Sequence, residues 1–65
     1  MMQESTTITF QDAETSEEAV AIVRYNQKNV AICLSHKSDG DMEVVMAKAD
    51  AQKLIEALKK AVTEG

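Results

Sequence analysis

The sequence predicts an α+β domain: a four-stranded antiparallel meander (β-β-β-β-α) with one C-terminal helix packed on one face. Three observations predict it. Apolar and β-branched residues alternate or cluster in four short segments. Two turn signals, Asn26-Gln27-Lys28-Asn29 and Ser38-Asp39-Gly40, separate the last three of them. A single amphipathic stripe follows at the end of the chain.

The first segment is residues 6–12, where Ile8 and Phe10 alternate with Thr7 and Thr9. That is the period of a half-buried strand. Residues 1–5 are expected to form a disordered N-terminal tail, ahead of a single domain over residues 6–65. The polar run Ala13 to Glu18 reads as a loop. Ala19 to Tyr25 holds two valines and an isoleucine and reads as the second strand. A helix competes for residues 16–26, because Ser16 could cap one with Glu17 and Glu18 in its first turn. The shortness of the apolar run and the hairpin partner behind it favour the strand.

The first turn signal fits a three-residue loop with Asn29 left-handed. Asn26 would then pair with Val30, and Ile22 would face Leu34. Val30 to His36 is the third strand, with Val30, Ile32 and Leu34 on one side and Ala31, Cys33 and Ser35 on the other. A second turn of the same kind, with Gly40 left-handed, sets Lys37 opposite Asp41, Leu34 opposite Val44 and Ile32 opposite Met46. The fourth strand is Asp41 to Ala47, with Met42, Val44 and Met46 on the inner face.

In the last segment Ala51, Leu54, Ile55, Leu58, Ala61 and Val62 make one apolar stripe at helical spacing. Asp50 is placed as N-cap, Glu56 and Lys60 form a favourable i, i+4 pair, and Gly65 follows as a terminator. About thirteen residues give a helix of ~20 Å.

Four strands make a sheet about 15–20 Å wide, so one such helix covers one face. The other face would show Ala21, Val23, Tyr25, Ala31, Cys33, Val45 and Ala47. A face meant only for water alternates with polar residues, and a contiguous apolar patch marks an interface. These seven residues are the expected dimer face.

Composition bounds what the chain does. Its 65 residues form one domain at most. Cys33 is the only cysteine and His36 the only histidine, so one chain makes neither an internal disulfide nor a Cys/His zinc cage. No Trp is present, and Phe10 and Tyr25 are the only aromatics. A small core of this kind is most simply completed by a second copy. No stretch approaches the length of a membrane span. The polar start, Met1 to Thr7, lacks the features of a secretory signal. The expected location is the cytoplasm.

No catalytic, cofactor or metal site emerges. Cys33 lies mid-strand among small apolar residues, without the cation or helix N-terminus that makes a thiolate reactive. His36 ends a strand and reads as an edge histidine. Asp39, Asp41 and Glu43 lack the twelve-residue calcium-loop pattern, and Asp39-Gly40 is accounted for by the turn. Adjacent Glu17 and Glu18 point to opposite sides of a strand. Lys48, Lys53, Lys59 and Lys60 line the solvated part of the helix. No phosphate-cradling loop or nucleophile elbow is present.

The leading functional expectation is a small homodimeric protein-interaction module without catalytic activity. In the order of its elements, four strands then a helix, the chain resembles the transcriptional-coactivator plan, which binds single strands as a dimer. That resemblance implies a single-stranded nucleic-acid binder. Such binders use basic grooves with aromatic platforms, whereas this chain carries a net charge of −4. A small-ligand binder at a dimer seam is a third expectation.

Overall fold

The computed structural model describes residues 2–38 and 40–64. The elements are β1 (Gln3–Gln11), β2 (Glu18–Tyr25), β3 (Asn29–His36), β4 (Gly40–Ala47) and α1 (Lys48–Glu64). The strands form one sheet in the order β1-β2-β3-β4, each antiparallel to its neighbour. The α+β meander is therefore the architecture that the alternation and the turn signals indicate. Residues 18–25 are strand rather than helix. The turn position Asp39 and the terminator Gly65 lie outside the described residues.

β1 begins at Gln3, three residues ahead of the alternating segment, and takes in positions assigned to a tail. Its ladder to β2 shifts between Glu4 and Thr6. Gln3 pairs with Tyr25, and the Tyr25 hydroxyl donates to Gln3 Oε1 at 3.2 Å.

The β2–β3 turn departs from expectation. Asn26 N donates to Asn29 O at 3.0 Å, so the loop is only Gln27 and Lys28. Asn26 Oδ1 accepts from the backbone N–H groups of Lys28 (2.9 Å) and Asn29 (2.7 Å). The side chain caps the tight turn, so no left-handed Asn29 is needed. Tyr25 pairs with Val30, Ala21 with Leu34 and Ile22 with Cys33. A slip of one residue turns every β2 side chain to the opposite face.

The expected dimer face is divided as a result. Ala21, Val23 and Tyr25 lie on the face of Ile32, Leu34 and Val44. Ala31, Cys33, Val45 and Ala47 lie on the other, beside Ile22 and Arg24. The β3–β4 hairpin also differs, pairing Leu34 with Met42 and Ile32 with Val44. That shift is by two residues, which leaves the faces as expected. Gly40 is left-handed as expected, with φ +84°.

The helix follows β4 without an intervening residue, since Ala47 ends the strand and Lys48 begins the helix. Asp50 is thus its third residue rather than its N-cap. The carboxylate still lies in the first turn, where the helix dipole favours it, and sits 3.7 Å from Lys53 Nζ. With no connecting loop between them, α1 stays beside the β3–β4 side of the sheet and does not reach β1 or β2. It touches only β3 and β4, and none of its residues is buried. Exposure climbs along the apolar stripe, from 37% at Leu54 through 44% at Ile55 and 56% at Leu58 to 81% at Val62. Within the single chain the helix meets the sheet along β3 and β4, and its far half is left uncovered.

Among the described residues the buried hydrophobic ones are Ala19 (6% exposed) and Ala31 (0%). Ala31 lies beneath a charge pair. Arg24 on β2 reaches Glu43 on β4 at 3.5 Å, and to do so its side chain crosses β3 on the face of Ala31 and Cys33. A small residue leaves room for that crossing. Both charges are exposed, so the pair contributes no more than about 1 kcal/mol.

Candidate functional site

The register builds a groove along β2. Three cross-strand rows define it: Phe10–Ala19–His36, Ile8–Ala21–Leu34 and Thr6–Val23–Ile32. In the first two rows an alanine sits between larger neighbours, so the floor is low and β1 and β3 form the walls. At the Ala19 end a hollow of about 190 Å³ opens between Phe10, Ala19, Leu34 and His36. Met42 and Val44 extend the same apolar surface onto β4, and both are exposed.

A polar cluster closes that end of the groove. Loop residues 12–17 fold back on themselves through Asp12 N to Glu17 O and Ser16 N to Asp12 O, both 2.8 Å. Ser16 takes up a left-handed conformation (φ +65°) to make the turn. Asp12 Oδ2 lies 3.3 Å and Glu17 Oε1 3.7 Å from His36 Nε2, and Thr15 Oγ1 lies 3.5 Å away. Ser38 N donates to His36 Nδ1 at 3.3 Å, and the Ser38 hydroxyl donates to Glu17. With Nδ1 accepting, a neutral His36 keeps its proton on Nε2, directed at the carboxylates. Among the described residues no three His, Cys, Asp or Glu side chains are disposed to hold a metal ion.

Backbone N–H groups of Glu14, at 2.8 Å, and Thr15, at 3.3 Å, hold the Asp12 carboxyl below the usual carboxylate range, with His36 adding to the effect. A depressed folded-state pKa stabilises the fold above the unfolded value of 3.8 and loses that contribution as pH falls through the lowered value. Asp12→Ala is therefore expected to melt earlier than the parent at neutral pH. The two melting curves should converge once pH drops well below 3.8. Melts recorded by circular dichroism across that range check this, and a constant gap down to the acid limit would assign the loss to something other than the charge.

The opposite face is mixed. Val20, Ile22, Ala31, Cys33 and Val45 make an apolar centre, and Thr7, Thr9, Glu18, Arg24, Asp41 and Glu43 surround it. Ser35 Oγ donates to Asp41 Oδ1 at 2.9 Å across β3 and β4. Cys33 is a free, half-buried thiol between Ile22 and Glu43.

Of the seven residues expected to share one face, the structure brings Ala21 and Val23 into the groove with Tyr25 beside them, and leaves the other four behind. Sequence reasoning missed the cluster around His36. Its members are 19 to 24 positions away from His36 on one side and two on the other, and only the strand order joins them. Among the described residues no helix is long and apolar enough to cross a membrane. Comparison with family models, with curated proteins and with solved structures returned no match.

Proposed function

We propose that this chain is a homodimeric protein-interaction module of the cytoplasm, without catalytic activity. The observation that carries this reading is surface left uncovered. The single chain has 5268 Å² of accessible surface. A folded monomer of 7.1 kDa is expected to expose about 4,100 Å². The excess is about 1,200 Å² per chain, and twice that falls in the range of obligate homodimer interfaces. The radius of gyration agrees, at 12.9 Å against about 11 Å for a compact chain of this length. Ile8, Phe10, Leu34, Met42 and Val44 on the groove face are all exposed, and Phe and Met are among the types enriched at interfaces.

In a dimer closed through the groove face, the opposite face stays open to other proteins. Its apolar residues are interleaved with charges, the Arg24–Glu43 pair crossing over Ala31, and such a mixed surface has the polarity of non-obligate interfaces. Nucleic acid is the poorer fit, because the strands carry a single Lys or Arg, Arg24, and it lies on the face opposite Phe10 and Tyr25.

Sedimentation velocity from micromolar to millimolar concentration tests the reading. The expected mass is 2 × 7.1 = 14.2 kDa over most of that range. A 7.1 kDa species throughout would reject it.

A further inference from the structure

We propose that the two copies exchange helices: α1 of each lies in the groove along β2 of the other. This rests on the dimer reading and specifies how the dimer closes.

Each chain leaves two apolar surfaces uncovered, the groove face and the far half of the helical stripe. Three symmetric pairings are available to two copies. Sheet against sheet covers the grooves and strands the helices in water. Helix against helix does the reverse. Only reciprocal helix-on-sheet contact covers both, and a two-fold axis generates it twice from one pair of patches.

The dimensions agree. The walls β1 and β3 are two strand spacings apart, about 9.6 Å, and a helix with its side chains is about 10–12 Å across. α1 has 17 residues, hence about 25 Å of length. The eight residues of β2 span about 27 Å, with the low alanine floor under the Ala19–Ala21 half. A low alanine floor is what a ridge of Leu58 and Val62 needs in order to settle between Phe10 and Leu34. The chain's own helix does not supply this contact. It starts at the end of β4, two strands from β2, and its exposure climbs to 81% at Val62.

Charge points the same way. The loop flanking the groove holds Asp12, Glu14 and Glu17. The helix holds Lys48, Lys53, Lys59 and Lys60 against Asp50, Glu56 and Glu64, so 4 − 3 = +1.

The test is disulfide trapping in the full chain with Cys33→Ala as background. Ala21→Cys is combined in turn with Leu54→Cys, Leu58→Cys or Val62→Cys, and each is oxidised in air and run without reductant. At least one pair is expected to shift from 7.1 to 14.2 kDa and return on reduction, while every single-cysteine variant stays monomeric on the gel. Ala19→Cys repeats the series on the same groove floor, should Ala21→Cys perturb the fold by circular dichroism. Equal trapping by Leu58→Cys alone would mean that helices pair with each other. Trapping by Ala21→Cys alone would mean that sheets stack. A disulfide within one chain would mean that the helix folds back on its own sheet. Any of these, or a dimer by sedimentation that no pair traps, overturns the exchange and leaves the dimer reading intact. A parent that sediments as a monomer overturns both.

Discussion

Leu34→Asp is expected to split the dimer into monomers at concentrations where the parent is fully paired. Leu34 lies at the middle of the groove face, between Ala21 on β2 and Met42 on β4. In the lone chain it is half exposed, and a polar substitution at such a site changes stability by no more than about 0.5 kcal/mol. Inside an interface the same carboxylate is desolvated without a partner, at a cost of about 2–3 kcal/mol. Symmetry imposes that cost twice, so association should weaken by about three to four powers of ten. Val45→Asp is the control. Val45 is exposed to a similar degree but sits on the opposite face, and its substitution should leave the sedimenting mass unchanged. Equal masses and equal dissociation constants for the two variants would mean that the groove face is not where copies meet.

Leu58→Asp should carry the second largest effect, through the helix. Leu58 is 56% exposed in the single chain, so local packing predicts little change. Under helix exchange its side chain is enclosed, and two carboxylates enter the shared core. A cost of about 2–3 kcal/mol per site would lower the melting temperature by roughly 10–20 °C for a domain of this size. The concentration dependence of the melt should vanish with it, because a dimer's melting point rises with protein concentration and a monomer's does not. Lys53→Ala, on the polar side of the same helix, should melt like the parent. If Leu58→Asp also melts like the parent at every concentration, the apolar stripe has no partner.

The elements were readable because each signal was local. Thr7-Ile8-Thr9-Phe10 alternates with the strand period, and Leu54, Ile55, Leu58 and Val62 repeat with the helical one. What escaped was fixed by single residues at the junctions. Asn-Gln-Lys-Asn is compatible with loops of two or three residues, and the choice falls to the Asn26 side chain, which accepts from two backbone amides at once. That one residue of loop length decides whether Ala21 faces Leu34 or turns away from it, so the groove could not be drawn from the pattern alone. The junction before the helix did carry a signal. No Gly, Pro, Asn or Ser stands between Val44 and Asp50, and such residues usually mark a connecting turn. Their absence means that the strand runs straight into the helix, which is why α1 stays on the β3–β4 side and does not cross to β2.

The two outer strands of the sheet are unequal. β1 is interrupted between Glu4 and Thr6, whereas β4 runs evenly from Gly40 to Ala47. An irregular flank resists the addition of a further strand, and a regular one offers an unbroken row of backbone donors and acceptors. On β4 the guards against such growth are the carboxylates of Asp41 and Glu43, with no lysine or proline beside them. Any further strand would therefore add along the β4 flank rather than along β1.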